Sequence, residues 1–162
     1  MKEYYLNLPL LKQSTKKYTI HNSDGEKIGE WQRYYKNKFQ FLIDLLIGHF
    51  YFNLKVYDSS SNLVIQSFHQ SNWFRDVWKI KTNQDCNILK SVTKIKTNLR
   101  YEYTCNNRIF LIKHDIGSRK IKIQDVQTIT LVPPRKIVIR IQDPIIDIYT
   151  ATCLFYTVAT QI

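Results

Sequence analysis

The segment that most constrains this chain lies near its end, in the run from Asp143-Pro144-Ile145-Ile146-Asp147-Ile148 through Tyr149 to Val158. Its β-branched residues favour strand by propensity. Three other features outweigh that preference. Polar and apolar positions do not alternate, and no turn residue interrupts about sixteen positions, which is long for a strand. Asp143 followed by Pro144 supplies an N-cap and a preorganised first helical residue. Ile145, Ile148, Leu154, Phe155 and Val158 would also cover different faces of a helix. A helix that is apolar all round must be buried all round. The expectation is a central helix at about residues 144–160, wrapped by the rest of the chain.

The remainder reads as strands that could supply the wrapping. Tyr18-Thr19-Ile20 and Lys27-Ile28-Gly29-Glu30-Trp31 flank Asn22-Ser23-Asp24-Gly25, a hairpin signal because glycine accepts the positive φ of a tight turn. Leu54–Tyr57 and Leu63–Ile65 flank a second turn. Arg100–Tyr103 and Ile109–Ile112 flank Asn106-Asn107. Lys120-Ile121-Lys122-Ile123 and Lys136-Ile137-Val138-Ile139-Arg140-Ile141 alternate with period two, as half-buried antiparallel strands do. About twelve such strands on one chain need closure to hide their edges. The fold expected is mainly β: a closed antiparallel barrel of about twelve strands around the apolar C-terminal helix, forming one soluble domain over 1–162.

Lys38-Phe39-Gln40-Phe41-Leu42-Ile43-Asp44-Leu45-Leu46-Ile47-Gly48 departs from the strand pattern and reads as a short helix ending near Gly48. The expected arrangement packs Phe41, Leu42, Leu45 and Leu46 over one barrel end, with Asp44 and Lys38 in water. The competing reading is an interfacial helix that sets Phe39 beside Arg33, Lys36 and Lys38 at a membrane surface. Trp73, Phe74 and Trp78 pose the same choice, with the core favoured over interfacial anchoring.

Several of these segments together resemble a known group, the tubby-like or LURP-one-like domains, which include the phospholipid scramblases. The likeness is carried by Ile20–Trp31, Arg33-Tyr34-Tyr35-Lys36, Lys94-Ile95-Lys96-Thr97-Asn98 with Arg100-Tyr101, Pro133-Pro134-Arg135-Lys136-Ile137 and the closing Asp143–Val158 run. It spans nearly the whole chain and is nearest to small bacterial members. The resemblance implies a barrel of about twelve strands around a central C-terminal helix, and it leans toward lipid headgroups. The eukaryotic tubby signature segments are missing, and no tubby lipid-binding residue falls on a position of this chain.

Catalytic and metal-binding patterns are missing from the sequence. His21, His49, His69 and His114 have no ligand spacing, and Cys86, Cys105 and Cys153 form no Cys-x-x-Cys pair. Asp24, Asp58, Asp85 and Asp125 sit where aspartate stabilises turns. The chain reads as non-enzymatic, with no cofactor and no metal.

Charge is the remaining clue. Net charge is +11, and the stretch from Lys90 to Lys122 holds nine basic residues against Glu102 and Asp115, giving +7. Its candidate anion-binding residues are Lys94, Lys96, Arg100, Lys113, Arg119, Lys120 and Lys122. They point to anionic phospholipid or, alternatively, to an acidic protein engaged by an interaction or neutralising domain. A solvated basic surface remains the plain alternative. Nucleic acid fits less well, because Tyr101 and Tyr103 read as core-facing, not as exposed stacking platforms. With no apolar run of spanning length, the expected location is cytoplasmic, with peripheral contact at the inner face of the membrane. Lysine over arginine, with many Asn, Ile and Tyr, suits a low-GC bacterium.

Overall fold

A computed structural model describes residues 2–7, 9, 13–48, 51–70, 75–83, 85–92, 100–106, 108–114, 120–123, 127–132, 136–141 and 146–159. Among them are twelve strands. They are β1 (Lys2–Asn7), β2 (Lys17–Asn22), β3 (Lys27–Tyr34), β4 (Asn53–Asp58), β5 (Leu63–Gln70) and β6 (Val77–Thr82). The second half supplies β7 (Cys86–Ser91), β8 (Arg100–Cys105), β9 (Arg108–His114), β10 (Lys120–Ile123), β11 (Gln127–Val132) and β12 (Lys136–Ile141). Helix α1 (Lys38–Ile43) runs into a π-helical turn (Asp44–Gly48), and α2 (Ile148–Ala159) follows all the strands.

The architecture is mainly β and antiparallel with a C-terminal helix, as the alternation predicts. Consecutive strands pair with each other, and β1 has two partners. On one side Tyr4, Tyr5 and Leu6 face Asn22, His21 and Ile20 of β2. On the other, Lys2 to Asn7 run opposite Ile141 to Lys136 of β12. The hairpin signals fall where expected: Gly25 has φ 81°, and Asn106 is left-handed at φ 49°.

Alternation sorts the side chains. Trp31, Leu54, Val56, Ile65, Trp78, Ile80, Leu89, Tyr101, Tyr103 and Ile112 are all buried. Trp78 and both tyrosines therefore join the core, while Trp73 and Phe74 lie outside the described residues. Helix α2 fills the core, with Ile148 and the nine residues from Thr150 to Val158 buried. Two of its buried hydroxyls are satisfied within the helix: Thr152 donates to the Ile148 carbonyl at 2.7 Å and Thr157 to that of Cys153 at 2.8 Å. This i−4 bonding lets a threonine-rich segment sit among apolar side chains without orphaned donors. The Tyr149 hydroxyl donates to the Ile28 carbonyl at 3.0 Å and that of Tyr156 to Asn7 at 3.1 Å. These bonds tie the helix to β3 and β1. At Gly29 a Cβ would lie 2.5 Å from the Tyr57 carbonyl oxygen and 2.9 Å from the Tyr149 ring.

The helix starts four residues later than its sequence suggests. Asp147 caps it, accepting from the Thr150 backbone N–H at 2.8 Å and from the Thr150 hydroxyl at 2.9 Å. A cap must accept from the N–H two or three residues ahead, and Asp147 has Thr150 there. Asp143 and Pro144 lie outside the described residues.

Candidate functional site

The region around α1 is built from the inside outward by polar contacts. Arg33 follows Trp31 on the inward face of β3 and is 1% exposed. It donates to Asp44 Oδ2 at 2.7 Å and to the Tyr51 carbonyl at 2.7 Å. The Tyr35 hydroxyl donates to the same Asp44 oxygen at 2.8 Å, and the Tyr51 N–H donates to Oδ1 at 3.1 Å. Burial, with the bond to Asp44 second, pushes the Tyr35 phenol well above its ordinary value, so it stays a donor. The Arg33 guanidinium also stacks near Phe52, 5.0 Å from the ring centre. Its placement at a membrane surface is thus corrected: a buried guanidinium needs a buried carboxylate, and Asp44 supplies one.

Asp44 dictates how α1 sits. Asn37 caps the helix, accepting from the Gln40 N–H at 2.9 Å. Gln40 Oε1 accepts from the Lys36 N–H at 2.8 Å and from Asn53 Nδ2 at 3.3 Å. Gln40 and Asp44 are four residues apart and so share one helical face. That face is turned to the protein. The packing expected from amphipathicity is inverted: Asp44 is fully buried, while Phe39, Phe41, Leu42, Leu45 and Leu46 are exposed. Phe39 and Leu46 reach 66% and 75%. Lys36 and Lys38 are exposed beside them.

A second surface lies alongside on the outer face of β4–β6. Phe68 stands directly opposite Lys79, and Lys55, Gln66 and Lys81 form one cross-strand row. The Lys36 ammonium lies 4.6 Å from the centre of the Phe68 ring and that of Lys81 5.8 Å. Lys55 covers the Tyr34 ring at 4.9 Å, and Gln66 donates to the Tyr34 hydroxyl at 2.8 Å. Among the described residues Lys36, Lys55, Lys79 and Lys81 have no carboxylate partner, whereas Lys17 and Lys27 pair with Glu30 and Lys90 pairs with Glu102. Lys55, Lys79 and Lys81 escaped the reading of the sequence, which weighed charge along the chain. The available signal was Lys79-Ile80-Lys81, the same alternation as Lys120-Ile121-Lys122.

Of the basic residues singled out from the sequence, Arg100 is directly opposite Lys113, and Lys113 is opposite Lys122. The register thus brings three of them into one row, with Arg100 and Lys113 exposed. Lys120 lies two residues along β10. Lys94, Lys96 and Arg119 fall outside the described residues. Between the two basic surfaces, Ile88, Thr104 and Ile109 make a cross-strand row in which both isoleucines are exposed.

Reactive chemistry is not concentrated anywhere in the described residues. They contain no group of three or more His, Cys, Asp or Glu placed to hold a metal ion. Burial pushes the Cys153 thiol up to about 12. A cleft of about 660 Å³ near Asp85, Asn87 and Asn106 is lined by turn and strand residues, with Lys90 the single cationic side chain among the described residues that line it. No helix among the described residues is long and apolar enough to cross a membrane.

A comparison across protein families places the chain. The model of the Tubby C-terminal like domain matches residues 4–161. No curated protein and no solved structure matches the chain. Because the family match covers nearly the whole sequence, the chain belongs to the Tubby C-terminal-like domain family.

Proposed function

We propose that this chain is a non-enzymatic binding module that docks on anionic membrane lipid at the cytoplasmic face, without a cofactor. The carrying observation is the cluster Lys36, Lys55, Lys79 and Lys81 around Phe68, which has no carboxylate partner among the described residues. Like charges gathered on one face repel each other in the free protein, and headgroup phosphates relieve that repulsion. The aromatic faces beneath the lysines are already covered by ammonium groups, which disfavours base stacking and hence nucleic acid. In this reading the row Arg100, Lys113, Lys122, with Lys120 nearby in register, is a second anion-binding surface, and Lys94, Lys96 and Arg119, outside the described residues, are further candidate ligands. The scaffold is taken as a closed barrel, with β12 zipped to β1, so that both surfaces keep a fixed separation. The pairing of β1 with both β2 and β12 supports that closure.

Co-sedimentation with neutral and anionic vesicles, at low and physiological salt, tests the reading. Selective binding to anionic vesicles that weakens with salt is expected. At roughly 1 kcal/mol per lysine near the surface, Lys79→Gln with Lys81→Gln lowers affinity about thirtyfold. Lys120→Gln with Lys122→Gln shows whether the second row contributes. Equal binding to neutral and anionic vesicles at both salt concentrations rejects the proposal. Docking of an acidic protein is the second reading, favoured by the exposed Ile88 and Ile109 between the two basic surfaces. A protein that co-purifies and stays bound with lipid removed would decide for it.

A further inference from the structure

We infer that α1 and the π-helical turn after it form a wedge that enters the hydrocarbon edge of a lipid bilayer. The inference rests on the anionic-membrane reading and adds what happens below the headgroups. Phe39, Phe41, Leu42, Leu45 and Leu46 are all exposed within eight consecutive residues. An apolar cluster of this kind on a protein surface marks a contact that is made elsewhere. The exposure is imposed by the structure: Arg33, Tyr35 and the Tyr51 N–H hold Asp44 inward, and Asn37 and Gln40 anchor the preceding turn. The polar face of α1 is spent on the protein, so its apolar face must meet the surroundings. Lys36 and Lys38 sit where the segment leaves the sheet, and Lys36 continues into the cluster over Phe68. Apolar groups flanked at one edge by lysines complement an anionic bilayer: chains take the leucines and phenylalanines, and phosphates take the ammonium groups. The basic rim matches the charge of that surface and selects it as the occupant.

The test uses the full chain with vesicles of mixed phosphatidylcholine and phosphatidylserine. In Leu46→Trp the new indole should be quenched by lipids brominated on the acyl chains, whereas an indole placed by Ile109→Trp on the β9 outer face should not. Leu45→Ser with Leu46→Ser, at exposed positions that leave the melting temperature unchanged, should remove the binding that survives high salt and weaken the total about tenfold or more. Vesicle binding with neither quenching of Leu46→Trp nor an effect of the serine pair overturns the wedge and leaves the headgroup reading standing. Absence of vesicle binding by the unsubstituted protein overturns both. A dimer in solution that the serine pair dissociates, with binding to vesicles intact, assigns the patch to a second copy of the chain and also overturns the wedge.

Discussion

Asp44 shows how one side chain can reverse the sense of an amphipathic segment. Its carboxylate accepts from Arg33, from the Tyr35 hydroxyl and from the Tyr51 N–H, and Arg33 is its buried ion-pair partner. Removing one member of a buried ion pair strands the other. Arg33→Met alone should therefore lower stability by about 3–5 kcal/mol. Adding Asp44→Leu should cost less than the sum of the two single changes, because the second substitution removes a charge already stranded. Denaturant unfolding of the single and double variants measures that coupling, and additive losses would show that the two residues act independently. The sequence held part of this. Trp31 and Arg33 are two apart in a strand and must share a face, so an inward Trp31 implies an inward Arg33 in need of an anion. The amphipathicity rule pulled the other way, because it places the apolar stripe of a helix on the protein and the carboxylate in water. Tyr101 and Tyr103 had no such conflict, and their inward orientation was legible from alternation alone.

Among the elements, the seam between β1 and β12 pairs the first described strand with the last. Glu3 stands opposite Arg140 there, and Arg140 Nε donates to Glu3 Oε1 at 2.7 Å. The Tyr5 hydroxyl donates to the other carboxylate oxygen at 3.0 Å. The bond from Arg140, followed by that from Tyr5, holds the Glu3 carboxyl below its ordinary value of 4.5. A carboxyl whose folded value is depressed stabilises the protein above its unfolded value, and the contribution disappears as pH falls through the folded one. The protection of β1 amides, relative to their intrinsic exchange rates, should consequently fall below pH 4.5. Arg140→Gln should flatten that pH dependence, and an unchanged profile would remove the pair from the account of the seam. Strands such as β10 and β12 were readable because each alternates within itself. The partner of β12 across the seam was not, since nothing in Lys2–Asn7 names a strand that lies more than a hundred residues later. The start of α2 was misplaced for a local reason. Two aspartates four apart both offer a cap, and the choice fell to Thr150 as the donor to Asp147.

At the scale of the molecule, one core draws on β1 to β9, β12 and α2. Phe155 is buried in α2 and meets Tyr156 edge-on at 5.4 Å, while Tyr156 lies against Trp31, with ring centres 3.7 Å apart. Phe155→Ala should cost about 3–5 kcal/mol, because the helix is enclosed and the site cannot collapse freely. Thermal unfolding followed by near-UV and far-UV circular dichroism should still give coincident transitions. Separate transitions would mean that the helix and the sheet are distinct cooperative units. The lysine cluster over Phe68 also belongs to this scale. Its members come from the β3–α1 connection, β4 and β6, and only the cross-strand register brings them together. Counting charge along the chain drew attention to the stretch from Lys90 to Lys122, where Lys90 is already paired with Glu102.

The position of α2 after every strand has a consequence for how the chain is made. A ribosome synthesises the twelve described strands before it reaches the helix that packs inside them. Until then Trp31, Trp78, Tyr101 and Ile139 have no common centre to pack on, and β1 waits for a partner made much later. Contacts of such long sequence separation form slowly, and an unfilled sheet is prone to association with its neighbours. A nascent chain of this design depends on protection during synthesis, and arrest just before Ile148 would leave it at its most vulnerable.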